Sequence, residues 1–227
     1  MADELFGVTG ATGAIGGRVA RSLVVAGLRV RCVVRDRATA PDLDAEIAEA
    51  SDYGDAESFR KAIQGVGTLF LVSGREHPER LRQHLTAVDA AAAAGVSRIV
   101  YLSFLAAAPD ATFTLARQHF ATEEHIRATG IPFTFLRSSL YLDYMPFLAS
   151  AEGVIAGPAG SGRFAPVARD DIADTVFNVL TTGGHDGRTY DNTGGATVSM
   201  EEVAEELSKV AGRQVRYVDQ TIEQAWE

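Results

Sequence analysis

GVTGATGAIG, residues 7–16, decides how this chain is read. A short apolar run over residues 5–8 precedes it, and a helical pattern over 14–26 follows it. The spacing of the glycines has a physical reading at each position. Gly10 permits the tight turn out of a strand, Gly13 lets a pyrophosphate approach the backbone, and Gly16 lets the helix lie close to the sheet. The helix start then offers free N–H groups and the positive end of its dipole to an anion. A second apolar run, residues 29–34, comes at the distance a β-α-β unit requires. The loop is therefore read as a dinucleotide site. Gly7, Thr9, Gly10, Ala11, Thr12, Gly13, Ala14 and Ile15 are its candidate contacts.

Working outward, the first half alternates short apolar runs with helical patterns. Strands are expected at 5–8, 29–34, 46–50, 68–72, 99–102 and 133–136, and helices at 14–26, 56–63, 79–94 and 115–129. Strands separated by helices of this length imply crossovers and a parallel sheet covered on both faces. The fold class is α/β, a Rossmann-type doubly wound parallel sheet, with a small C-terminal α/β lobe. Residues 1–149 are assigned to the dinucleotide-binding core and 150–227 to the lobe, expected to pack over the carboxyl ends of the first six strands within one structural domain. In the lobe, residues 150–169 are rich in glycine and proline. Asp170 or Asp171 is expected to cap a helix reaching about residue 180, with Arg169 holding the loop before it. A short strand follows at 189–192. Ser199 and Glu202 form a capping-box pattern opening a helix to about 210, before a strand at 214–218. A last helix is just beginning at the C-terminus, where Trp226 is expected to be partly exposed.

Composition narrows the function. The chain has 227 residues and a net charge of −9, which speaks against nucleic-acid binding through a basic surface. Lysine is confined to Lys61 and Lys209, so arginine must capture any phosphate that backbone amides do not. No apolar run approaches the length of a membrane span. The N-terminal stretch lacks the basic start of a signal peptide, and the single cysteine, Cys32, lies in an apolar run and is read as a core residue. These features point to the cytoplasm. The histidines lack ligand spacing, so no metal site is expected.

The end of the second strand bears on which dinucleotide binds. An acid there would bond a ribose 2′-hydroxyl and favour NAD. Arg35 stands in that place, and a guanidinium pairs with a 2′-phosphate in a bidentate way. Arg37 can add to it. NADPH is thus the expected cofactor. NADH stays open if Arg35 stacks on adenine while Asp36 takes the hydroxyl. After the third strand, Asp52 is a candidate for the adenine amino group, and Asp55 is read as the cap of the next helix. Val72, Ser73, Gly74 and Ser103, at the carboxyl ends of the next strands, complete the candidate cofactor contacts.

TGATGAIG, VVRD, YGDAESFRKAIQGVGTLFLVS, AAGVSRIVYLS and HFATEEHIRATGIPFTFLR together resemble the NmrA-like branch of the atypical short-chain dehydrogenases. The spacing of His119, Thr122 and Glu123 is most similar to the group of NAD(P)H:quinone oxidoreductase type 2 and triphenylmethane reductase. Ordinary members of the superfamily reduce carbonyls with a Tyr-x-x-x-Lys pair, whose lysine lowers the tyrosine pKa. Here Glu57 and Glu205 stand four residues before the two lysines, so the pair does not exist. The resemblance places His119 where relatives carry an active-site lysine. It would then lie beside the nicotinamide, bind cofactor or substrate and, with a pKa near neutrality, donate a proton. The other reading is a packed histidine tying its helix to a neighbouring loop. His125 is expected to be exposed, and His84 has no motif of its own.

Ligands of open α/β sheets bind outside the carboxyl ends of the strands. Phe104, Leu105, Tyr141, Tyr144 and Phe147 would give an aromatic wall there, with Ser138 nearby, suited to a flat apolar acceptor such as a quinone. Ser138 and Ser139 depart from the Asn-Gly that the resemblance implies after Arg137. The implied function is hydride transfer from NAD(P)H to such an acceptor. The alternative is a non-catalytic redox sensor that binds NAD(P) and a protein partner. A homodimer is compatible with either. Similar proteins continue for some tens of residues past this C-terminus, which leaves a truncated, a naturally short and a partly ordered chain all open.

Overall fold

The computed structural model describes residues 4–225. Strands β1 (Leu5–Thr9), β2 (Arg29–Val34), β3 (Glu46–Glu49), β4 (Thr68–Val72), β5 (Arg98–Phe104), β6 (Phe133–Ser138) and β9 (Arg188–Asn192) form one sheet in the order β3-β2-β1-β4-β5-β6-β9. Every neighbouring pair in it is parallel. The order reverses beside β1, which places the switch point of a doubly wound sheet at the glycine loop. Helices α1 (Ala14–Val25), α2 (Ala56–Ala62), α3 (Arg80–Ala93), α4 (Thr114–Ala128) and α5 (Arg169–Thr181) make the connections. β1 and β4 are almost wholly buried, as strands covered on both faces must be.

One core gathers Phe59, Ile63, Leu69, Leu71, Val88, Ile99, Tyr101, Ile126 and Phe135. Arg127 lies over the Phe135 ring at 4.8 Å. Cys32 is fully buried, and burial raises its thiol to about 11, so it acts as a small core residue.

The described residues form two compact units, one running up to residue 138 and including 170–192, the other made of 139–169 and the residues from 193 onward. This division differs from one at 149/150. Helix α5 and β9 belong with the large sheet, because β9 pairs with β6 from Thr134–Arg188 to Ser138–Asn192. The smaller unit holds two short pairings that glycine and proline concealed in the sequence. β7 (Val154–Gly157) runs parallel to β11 (Arg216–Asp219), and β8 (Arg163–Phe164) pairs antiparallel with β10 (Val198–Ser199). α6 (Met200–Ala211) packs on its own small core of Met145, Ile155, Val203, Ala204 and Val215. The expected capping box is present at its start, with Ser199 and Glu202 bonding reciprocally. A short α7 (Ile222–Ala225) follows β11, and Trp226 lies outside the described residues.

The start of α5 corrects one expectation. Neither Asp170 nor Asp171 caps it, since both lie inside its first turn. The cap comes from Asp143, whose carboxylate accepts from the Arg169 N–H at 2.9 Å. Asp170 instead pairs with Arg18 of α1.

Candidate active site

Gly10 has φ +59, a conformation that disfavours any side chain. Gly13 then caps α1 without a side-chain bond, and no acid sits in the first turn. The opening amides of α1 thus have no side-chain acceptor, while Gly10, Thr12 and Gly13 are exposed. A Cβ at Gly13 would stand 3.2 Å from the Gly10 carbonyl, at the limit of what the loop allows. These features fit a pyrophosphate. Not every candidate reaches outward. Thr9 is buried, and its Oγ1 binds the Phe70 carbonyl, the Val72 N–H and the Tyr53 hydroxyl. Its side chain stitches β1 to β4. Ala11 and Ile15 are buried as well, so only their backbone can serve a ligand.

At the end of β2, Arg35 is exposed and makes no ion pair among the described residues. Asp36 is committed, accepting from the Ala38 N–H at 2.8 Å. Arg37 turns away toward β3, where it donates to the Ile47 carbonyl at 2.9 Å. The expectation that Arg37 reinforces Arg35 is therefore corrected: its backbone position directs it to the edge strand. Asp52 accepts from the Gly54 N–H and stays exposed, while Asp55 caps α2 through the Ser58 N–H at 3.0 Å.

His119 is the centre of a buried cluster, and only 4% of it is exposed. Its Nε2 lies 2.8 Å from a terminal nitrogen of Arg80. A guanidinium can only donate, so Nε2 accepts and the ring proton sits on Nδ1, facing the Tyr101 hydroxyl at 2.9 Å. His84 is fixed in the same tautomer. Its Nε2 accepts from the Gly74 N–H at 2.8 Å, leaving Nδ1–H toward Thr122 Oγ1 at 3.1 Å and Tyr101 at 3.3 Å. Burial first, and then the Arg80 charge, hold His84 down to about 3. Burial, Arg80 and His84 together hold His119 down to about 2. The expectation of a proton donor near neutrality is thus overturned. The imidazole is neutral, and both its nitrogens are engaged within the protein.

What the cluster holds is the loop after β4. Arg80 donates through Nε to the Gly74 carbonyl at 2.7 Å, and His84 accepts from the same residue's N–H. His119 and Gln118 orient the Arg80 fork from α4. Gly74 is one of the candidate cofactor contacts, and the hydrogen bonds link His119 to it by way of Arg80. Phe104 stacks on the His119 ring at 6.1 Å and meets Phe113 at 5.5 Å.

Glu123, fully buried, does the equivalent for the next two strands. It accepts from Ser103 Oγ at 2.6 Å and from Arg137 at 2.9 and 2.6 Å. The Ser103 hydroxyl proton is therefore committed to Glu123. Leu105 donates its N–H to the Ser138 carbonyl at 2.9 Å, closing the ends of β5 and β6. In the smaller unit, Tyr141 bridges to Val167, whereas Tyr144 and Phe147 are exposed, with rings 5.8 Å apart. His125 is half-buried, bonded to Asp89 at 2.7 Å, rather than open to solvent.

Arg80 and His84 were missed in the sequence. A signal existed: positions 80, 84, 87, 88 and 91 form the buried stripe of α3, and two of them are polar. Among the described residues no cluster of side chains could hold a metal ion, and no helix is long and apolar enough to cross a membrane.

The profile of the NmrA-like family matches residues 3–227. The chain is 36% identical to quinone oxidoreductase 2 of Escherichia coli (strain K12), over 94% of this chain and 77% of that protein. It is 33% identical to the NAD(P)H azoreductase of Xenophilus azovorans, over 96% and 78% respectively. The crystal structure of Citrobacter sp. triphenylmethane reductase complexed with NADP(H) superposes with a TM-score of 0.86 at 34% identity, covering 96% of this chain and 80% of that one.

Proposed function

Since this chain belongs to the NmrA-like family, we propose that it is an NADPH-dependent oxidoreductase delivering hydride to a flat apolar acceptor of the quinone class. The glycine loop carries the reading. It presents uncapped amides of α1 beside an exposed Arg35, while Asp36 is already occupied by its own turn. An arginine that has no protein counter-ion in that place suits a 2′-phosphate better than a 2′-hydroxyl. The crystallised Citrobacter relative, in complex with NADP(H), supports the same cofactor.

When bound, the reduced nicotinamide supplies the hydride. The chain's own residues bind and orient. The start of α1 neutralises pyrophosphate charge, and Arg35 selects the phosphorylated ribose. Arg80 and His84 fix the Gly74 backbone, and Glu123 fixes the ends of β5 and β6. None of these groups is poised to donate a proton, because His119 is neutral and Tyr101 is buried with its phenol held above its ordinary range. A quinone tolerates that. Its reduced oxyanion has a pKa of about 10, like tyrosine, and water can protonate it. A simple ketone would yield a far more basic alkoxide and would need an acid.

The test is NADPH oxidation against a panel of quinones, with NADH in parallel and Arg35→Ala beside the wild type. Saturable turnover preferring NADPH is expected, with Arg35→Ala weakening NADPH roughly tenfold or more and NADH little. Equal losses for both cofactors would sink the 2′-phosphate assignment. Tight NADPH binding with no turnover would favour a sensor over an enzyme.

A further inference from the structure

Among the described residues of the larger unit, three buried side-chain polar atoms have no hydrogen-bond partner. One, Arg98 Nε, lies 3.1 Å from the Asp186 carboxylate in an ion pair, and the other two have neither a partner nor a place in the network above. They are Ser138 Oγ and Asn192 Nδ2. Ser138 is 1% exposed. Proteins rarely leave such groups unsatisfied, and the exceptions call for a cause. Here the two orphans are neighbours. Ser138 ends β6, Asn192 ends β9, and the two are register partners in the parallel pair. Their side chains therefore stand on the same face of the sheet, with backbones about 4.8 Å apart. Arg137, one residue earlier, points to the opposite face and is paired with Glu123. The orphans are thus separate from the His119 and Glu123 clusters.

Their location is also particular. Both lie at the carboxyl edge of the sheet, where open α/β folds place ligands, and Ser138 is in register with Phe104 of β5. Each is the last residue of its segment before the chain leaves the larger unit. No protein group among the described residues accepts from either donor.

We propose that Ser138 Oγ and Asn192 Nδ2 form a donor pair for a ligand carbonyl oxygen. An amide N–H and a hydroxyl on adjacent strands can converge on one acceptor oxygen, and a carbonyl accepts two such bonds. The inference rests on the oxidoreductase reading above, which brings two carbonyls to this edge: the carboxamide of the nicotinamide and the carbonyl of the quinone. The donor pair serves either by the same chemistry.

Ser138→Ala and Asn192→Leu, singly and together, separate the sources. NADPH affinity is read by fluorescence titration, the KM for menadione by turnover, and thermal stability without ligand by melting. Each lost donor is expected to weaken its ligand by about tenfold, while the ligand-free Tm holds or rises because a stranded polar atom is gone. Weaker NADPH with an unchanged menadione KM assigns the pair to the carboxamide. The reverse assigns it to the quinone. If both constants stay at wild-type values, or if Tm falls in each variant with no specific loss of affinity, the two atoms serve the fold and the proposal is overturned. A wild type that binds NADPH without reducing menadione would refute the oxidoreductase reading alone, and the titration would still test the pair.

Discussion

At the residue scale, His119 shows how a buried imidazole differs from an exposed one. Its ordinary pKa of 6.5 falls to about 2, and that of His84 from 6.5 to about 3. Both stay neutral in the folded protein, whereas in the unfolded chain both charge below pH 6.5. The unfolded state therefore binds more protons in acid, and stability falls as pH drops below 6.5. At pH 5 each histidine accounts for a loss of about 2 kcal/mol relative to pH 8. His119→Gln isolates one of them. Glutamine can accept from Arg80 and donate to Tyr101, yet it does not titrate. Denaturant unfolding between pH 6.5 and 5 should be less steep in this variant by about 1 kcal/mol per pH unit, with quinone reduction within a few-fold of wild type. An unchanged slope would mean that the imidazole is not held neutral. A collapse of turnover would return it to a role in proton transfer.

At the scale of elements, the unit of interest is β1, the glycine loop and α1. A Cβ on Gly16 would collide with the Gly10 carbonyl and lie 2.7 Å from the Thr9 carbonyl oxygen, all backbone, so only a shift of α1 away from the loop and the end of β1 can relieve it. A Cβ on Gly13 meets only the Gly10 oxygen, at 3.2 Å. Gly16→Ala should thus lose about 1–3 kcal/mol of stability through overpacking. Gly13→Ala should stay folded and lose NADPH affinity, since its methyl occupies the phosphate's approach. Calorimetry and titration on the two variants check the contrast, and a Gly16→Ala protein as stable as wild type would refute the packing argument. These glycines were legible in the sequence because their constraint is local. So were the crossovers and the capping box at Ser199, which depend on neighbours within a few positions. Arg80 and His119 were not, because they meet across 39 residues and neither position marks the other. The same holds for β7 and β11, whose partners lie some sixty residues apart. Short strands with exposed ends and flanking glycine carry too little periodicity to announce such pairing.

For the whole molecule, every candidate cofactor contact from Gly7 to His119 belongs to the larger unit. The smaller unit has its own core around Met145, Ile155 and Val215, held by β7, β11 and α6. A ligand stabilises only the equilibrium that destroys its site, by about 2.7 kcal/mol when present at a hundred times its Kd. NADPH should therefore slow hydrogen exchange of the most protected amides in β1, β4 and β5 by about a hundredfold. The most protected amides of β7 and β11 should slow less if their unit opens by itself, because that opening leaves the glycine loop and the Gly74 backbone intact. Exchange followed peptide by peptide, with and without NADPH, distinguishes the cases. Equal slowing throughout would show that a single cooperative transition spans both units. Slowing confined to the smaller unit would place the cofactor away from the glycine loop and would remove the foundation of the proposed function.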